Sequence, residues 1–143
     1  MTLTPPMIQF DVVIIGGGPA GCAAGLTLLK KEGVSVAIVE ADDYSNYRIG
    51  ESLSPGCRSL LDYLDIWQEF SQTNSLKSFS SNAVWGDDKC QSLDYLFTLH
   101  GSGWQIDRRA FDQLLADKFS QRGGEIYQGE RINKISKQDG CWH

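Results

Sequence analysis

Asp11–Glu40, DVVIIGGGPAGCAAGLTLLKKEGVSVAIVE, decides the fold. Val12–Ile15 is a short apolar run of the kind found in a buried parallel strand. Gly16-x-Gly18-x-x-Gly21 follows at once and opens a helix. Gly16 permits a tight turn, Gly18 lets a pyrophosphate approach the backbone, and Gly21 lets the helix lie close on the strand. The helix N-terminus offers N–H groups and a positive dipole end to phosphates. The helix is expected from about Gly18 to Lys31, with Ala20, Ala23, Ala24, Leu26 and Leu28 making it apolar, Lys30-Lys31 in its last turn and Gly33 as its C-cap. Val34–Val39 reads as the second strand, closed by Glu40. That acid lies about 20 residues past the glycines, where a carboxylate accepts hydrogen bonds from ribose hydroxyls and would repel a 2′-phosphate, which disfavours NADP. Strand, turn, helix, strand and terminal acid in this order indicate dinucleotide binding. The alternative is a βαβ unit that keeps its glycines only for packing.

Asp11-x-x-x-x-Gly16-Gly17-Gly18-Pro19-Ala20-Gly21 resembles the FAD-binding start of the flavoprotein group that includes aromatic hydroxylases, geranylgeranyl reductases and flavin-dependent halogenases. The third glycine with Pro19-Ala20 favours FAD over NAD, a preference that comes from the resemblance and not from spacing. The fold it implies is α/β: a Rossmann-like FAD-binding domain, a parallel sheet with flanking helices, plus the start of a β-rich substrate layer.

The chain has 143 residues, enough for one domain with a sizeable core, and its 41% hydrophobic and 22% charged content is that of an ordinary globular protein. Net charge is −5 with no long basic run, which argues against a nucleic-acid partner. Cys22, Cys57, Cys90 and Cys141 are widely spread with no CxxC or CxxH, which argues against a zinc site or a disulfide scaffold and fits a reducing, cytoplasmic setting. The opening MTLTPPMIQF lacks a basic n-region and a long apolar segment, so neither a signal peptide nor a transmembrane helix is expected. Residues 1–8 read as a loose lead-in, with Pro5-Pro6 blocking regular structure. Cys22, in the first helical turn, reads as a small packing residue rather than a thiol activated by the dipole.

Asp42–Pro55 has loop composition and leaves the carboxyl end of the second strand, where open α/β sheets bind ligands. Arg48 could bind phosphate or ribose, Gly50 lets the backbone approach a ring, and Glu51 could orient an arginine or handle protons. Arg48-Ile49-Gly50-Glu51-Ser52-Leu53-x-Pro55 resembles the segment after the second strand in flavin-dependent halogenases, which lies against the flavin. The resemblance makes Arg48, Glu51 and Ser52 cofactor-binding candidates.

Pro55–Phe70 reads as one helix with a core stripe of Leu60, Leu61, Leu64, Trp67 and Phe70, and Trp67 as packing rather than cofactor stacking. Ala83–Trp85 and Leu93–His100 read as two strands around Gly86-Asp87-Asp88, the second half-buried. The resemblance places residues 71–103 as an inserted substrate-side segment within an N-terminal part, 1–143, of a FAD/NAD(P)-binding domain. His100 has the chemistry of a general acid or base, though a structural role is the simpler reading. In Trp104-Gln105-Ile106-Asp107-Arg108-Arg109-Ala110-Phe111-Asp112, Asp107 can cap the next helix, whose buried stripe is Phe111, Leu114, Leu115 and Phe119. Two arginines at a helix start gain nothing from the dipole. The segment resembles the group's Trp-x-x-Asp-Arg-x-x-Phe-Asp-x-x-Leu, whose arginine lies near FAD, and Arg108 is the matching position. Gly123-Gly124 ends that helix. Glu125–Tyr127 reads as a further parallel strand, and Arg131–Ser136 begins another before the Asp139-Gly140 turn.

The resemblance covers nearly the whole chain but only an N-terminal portion of such proteins, so a truncated product or a fragment is expected, one whose activity alone is in doubt. It implies FAD as cofactor and a flavin hydroperoxide that hydroxylates an electron-rich ring or oxidises halide. The substrate would be a small aromatic molecule or a tryptophan in a partner protein, with NAD(P)H or a flavin reductase as candidate electron sources. Aligned on Trp85, Ser78 stands near the place of the halogenase lysine, with Lys77 beside it, which favours a halogenase-like monooxygenase over a true halogenase. Two other classes stay open: a non-catalytic nucleotide-binding module and an NAD-dependent dehydrogenase. No catalytic residue and no metal ligand is singled out.

Overall fold

The computed structural model describes residues 8–97, 99 and 101–143, so the expectations for the first seven residues and for His100 lie outside the described residues. The chain divides into two units. One takes in the chain up to Asp43 together with Ala116–His143, and the other is Tyr44–Leu115.

In the first unit, β1 (Val12–Ile15), α1 (Pro19–Leu28) and β2 (Val36–Glu40) form the expected βαβ motif. β1 pairs in parallel with β2, from Val12 opposite Val36 to Ile15 opposite Val39. On the other side β2 pairs in parallel with β8 (Glu125–Gln128), from Ala37 opposite Glu125 to Glu40 opposite Gln128. Flanked on both edges, β2 buries Val36, Ala37 and Ile38 almost completely. This is the pattern of a central parallel strand. β1 is less buried than its composition suggests, because Val13 and Ile15 are more than half exposed and only the Val12 and Ile14 face is partly covered.

The core centres on Phe119 of α4 (Arg108–Gln121), which is fully buried. Gly25 of α1 and Gly124 both make room for its ring. A Cβ on Gly25 would come within 2.6 Å of Cε2, and one on Gly124 would collide with the same ring. Burying one such side chain contributes roughly 1.5–3 kcal/mol. α1 ends at Leu28, short of Lys31. The amides of Lys30 and Lys31 bond to the carbonyls of Thr27 and Leu28, so the last turn tightens to i→i+3 spacing. The expected strand from Arg131 does not form. In its place β9 (Lys137–Gln138) and β10 (Cys141–Trp142) make a minimal hairpin. Asp139 and Gly140 both have positive φ there, as a two-residue hairpin turn requires.

In the second unit, β3 (Ser52–Leu53), β7 (Gly103–Gln105) and β4 (Leu76–Ser78) form an antiparallel sheet with β7 at its centre. The expected single helix is two: α2 (Cys57–Tyr63) and α3 (Trp67–Ser71). The break lies at Asp65, whose φ of 53° is left-handed. The Ile66 amide turns back to the Leu61 carbonyl, so an aspartate fills the cap position usually given to glycine. Leu61, Leu64 and Phe70 are buried as expected, but the shift in phase leaves Leu60 66% exposed and buries Ile66 instead. Phe70 packs edge-on against Trp104 and Phe111, and Trp67 packs against Phe70 and Trp104.

β5 (Ser80–Val84) and β6 (Cys90–Asp94) form an antiparallel hairpin exposed along its whole length. Of the half-buried strand expected over Leu93–His100, only Leu93 and Asp94 are strand among the described residues. The strand stops at Asp94, a 3-10 turn covers Tyr95–Phe97, and Phe97 is 89% exposed. No helix among the described residues is long and apolar enough to cross a membrane.

Candidate functional site

The glycine turn is held from both sides. Gly16 takes a φ of 100° and donates its amide to the Val39 carbonyl at 2.8 Å, tying the turn to the end of β2. Gly17 is buried, and its N–H donates to the carboxylate of Glu40. The other Glu40 oxygen accepts the Asp42 amide at 2.9 Å, and the side chain is nearly buried. The Gly17 carbonyl accepts the thiol proton of Cys22 at 3.0 Å, and Cys22 has no exposed surface. The small packing residue of the sequence reading is therefore also a polar fastener of the loop.

Gly18 is the N-cap of α1 in extended conformation, with no side chain capping the helix end, and Pro19 occupies the first turn. That turn contains no acidic residue, so its amides keep their positive end. Ala20 stands exposed on the same turn. A Cβ on Gly21 would collide with the Gly16 carbonyl oxygen and press on Ile14 of β1. These features together make a cradle of backbone at a helix N-terminus, shaped by residues without side chains and closed by one acid. They fit a dinucleotide pyrophosphate with its ribose at Glu40.

The second unit assembles the remaining candidates around a residue that the sequence did not single out. Asp112 has no exposed surface. Its carboxylate accepts two hydrogen bonds from Arg108, from Nε and Nη2 at 3.0 Å each, and lies 3.4 Å from Nη1 of Arg48. Arg108 also donates through Nη1 to the Ile49 carbonyl. Gly50 lies directly against this guanidinium. Its φ is 100°, and a Cβ there would approach Nη1 at 2.8 Å. Glycine is required at that point for close approach of an arginine within the protein. Arg48 also lies over the Tyr44 ring, 5.5 Å from its centroid.

Glu51 holds no arginine among the described residues. It accepts a long hydrogen bond from the Tyr47 hydroxyl at 3.4 Å, and its backbone carbonyl accepts the Ile106 amide. Ser52 donates to Oε1 of Gln105 at 2.9 Å, across the β3–β7 pair. Asp107 caps α4 as expected, accepting the Arg109 amide at 2.9 Å. The Arg109 side chain hydrogen-bonds the same carboxylate, which holds Asp107 below the usual carboxylate range. The two arginines at the helix start are thus held by different acids. A sequence signal for Asp112 did exist: it stands four residues after Arg108, the spacing of a helical ion pair.

The FAD binding domain family matches residues 9–141. Among curated proteins, the FAD-dependent oxidoreductase LodB of Marinomonas mediterranea is 34% identical over 137 residues, covering 95% of this chain and 37% of that protein. The flavin-dependent halogenase armH3 of Armillaria mellea is 32% identical over 131 residues, covering 90% of this chain and 26% of its own. Among solved structures, the flavin-dependent halogenase CmlS superposes with a TM-score of 0.76 at 30% identity, over 96% of this chain and 28% of that one. The chain thus spans between about a quarter and somewhat over a third of the length of these relatives.

Proposed function

This chain belongs to the FAD binding domain family, with FAD as its cofactor, and on that premise we propose that it is the cofactor-binding part of a halogenase-like flavin monooxygenase. The observation that carries the proposal is the Gly17 loop, fastened by Glu40 and Cys22 at an uncapped helix N-terminus. Gly16, Gly18, Pro19, Ala20 and Gly21 form the pyrophosphate cradle, and Glu40 takes the ribose hydroxyls. Bound FAD would supply the redox chemistry for oxygenating an electron-rich ring. The protein's own contribution is binding and orientation. Arg48 and Arg108, with Glu51 and Ser52 on the same loop and strand, serve the cofactor in the second unit.

The substrate in this reading is a small aromatic molecule or a tryptophan in a partner protein, and the electron source is NAD(P)H or a flavin reductase. The relatives' names support a halogenase-like enzyme, but Ser78 stands where the resemblance places the halogenase lysine. Lys77 shares a face of the sheet with its partner Trp104 and, one residue before Ser78, projects from the face opposite Ser78. Oxygenation is therefore favoured over halogenation.

An absorption spectrum of the purified chain tests the reading. Flavin bands that remain after incubation with FAD and desalting are the expected result. Binding of NAD in place of FAD would replace it with a dehydrogenase. Absence of both, in this chain and in a longer one, would leave a βαβ unit that keeps its glycines for packing.

A further inference from the structure

The second unit contains a cleft of about 550 Å³ apart from the arginine cluster, lined in part by Arg58, Trp67, Lys77, Phe79, Tyr95 and Trp104. That volume lies within the range of small-ligand sites. The Arg58 guanidinium lies 4.7 Å from the centroid of the Trp67 ring, and the Lys77 ammonium 5.8 Å from that of Trp104. The two indoles meet edge to face at 5.7 Å, so one aromatic pair holds both cations at one wall. An indole face is the strongest aromatic partner for a cation, and it holds the charge without neutralising it.

Among the described residues, no carboxylate lines the cleft. Among the described residues Arg58 pairs with Asp62, at 3.7 Å, and both side chains are more than half exposed. Such a pair is weak and easily exchanged for a better anion. Lys77 makes no ion pair among the described residues. The cleft therefore carries positive charge beside apolar ring surface, for Phe79 is 55% exposed and Tyr95 lies at the same opening.

We propose that this cleft binds a small aromatic carboxylate, with its anionic group between Arg58 and Lys77 and its ring against Phe79 and Tyr95. The guanidinium can take a carboxylate bidentately, while the ammonium acts as a point charge on a flexible stem. None of these residues belongs to the glycine loop or to the Arg48–Asp112–Arg108 cluster.

The test uses the whole chain free of FAD, with Trp85→Phe and Trp142→Phe so that emission reports on Trp67 and Trp104. Indole-3-carboxylate and benzoate are titrated against indole-3-carboxamide, with calorimetry in parallel. Saturable binding of the acids is expected with a dissociation constant on the order of 1 mM or tighter. The neutral amide should bind roughly tenfold more weakly, and Arg58→Gln and Lys77→Gln should each weaken the acids by about tenfold. Both substituted side chains are exposed, so circular dichroism should show an unchanged fold. Equal affinity for acid and amide, equal affinity in the variants, or an unsaturated response at ten times the expected constant would overturn the proposal.

Discussion

The carboxylate of Glu40 accepts the backbone N–H of Gly17, joining the end of β2 to the glycine turn after β1. The contact fixes the loop before any ligand arrives, and it leaves the proposed ribose-binding acid already oriented by two backbone amides. A hydrogen bond to a charged group contributes about 1.5–3 kcal/mol. Glu40→Ala should therefore weaken FAD binding by roughly tenfold to a hundredfold. Glu40→Gln, which keeps one acceptor, should fall between. Flavin fluorescence titration gives the constants, and equal affinity in all three proteins would remove Glu40 from the site.

Cys22 is the other fastener, and its thiol is the donor. Cys22→Ser keeps a donor of similar size and should retain FAD affinity within a few-fold. Cys22→Ala leaves the Gly17 carbonyl without that partner and should weaken binding by about tenfold, in line with a net bond worth ~1 kcal/mol. Thermal unfolding measured alongside separates positioning from stability: a positioning role shows as lost affinity in the alanine variant that serine restores, beyond any change in Tm. Equal loss in both variants would assign Cys22 to packing alone.

Asp112 is the counter-charge for two arginines and is fully buried. Removing one partner of a buried ion pair costs about 3–5 kcal/mol, because the remaining charge is left without compensation. Asp112→Ala should lower stability by that order in urea unfolding. Arg48→Gln should cost much less, because Arg108 still satisfies both carboxylate oxygens. If Arg48→Gln and Asp112→Ala were equally destabilising, the cluster would not be organised around the aspartate.

Much of the first unit was legible because its signals are local. The apolar run Val12–Ile15, the glycine spacing and the acid at Glu40 each lie within one βαβ unit. The i,i+4 spacing of Arg108 and Asp112 was legible, but the burial of Asp112 was not, because an aspartate on an amphipathic helix reads as surface. Its second arginine partner, Arg48, lies 64 residues earlier. Tyr95–Phe97 misled for the converse reason: aromatic residues suggest a packed strand, but β-preference records packing against neighbours, and among the described residues β6 has only β5 beside it. The break at Asp65 was hidden because the stripe from Leu61 to Phe70 keeps a helical period across it.

Gly21 tests the close approach of α1 to the turn. Gly21→Ala drives a Cβ into the Gly16 carbonyl and to within 3.3 Å of Ile14. Overpacking of this kind costs roughly 1–3 kcal/mol, and here the displaced atoms are those of the cradle. The variant should lose FAD on desalting. Gly129→Ala is the control. Its φ of 73° is strained for alanine by about 1–2 kcal/mol, but a Cβ there meets nothing within 4 Å. It should therefore lower Tm while retaining flavin, and retention of flavin by Gly21→Ala would mean the loop has room to shift.

Asp11 makes a pH prediction at the start of the same sheet. Its carboxylate accepts the Ser35 amide at 2.8 Å and the Ser35 hydroxyl at 2.7 Å, fastening the start of β1 to the residue before β2. Those hydrogen bonds, the backbone one first, hold its pKa below the ordinary 3.8. A carboxylate whose folded pKa is depressed binds fewer protons folded than unfolded, so its stabilisation is fully present above about pH 4 and is lost as pH falls through the lowered folded value. Ser35→Ala removes the hydroxyl but not the amide, so the acid-induced decline in its urea midpoint should become shallower below pH 4, with little change in shape between pH 5 and 7. Parallel profiles for the two proteins throughout the acid range would show that this contact does not shift the titration of Asp11.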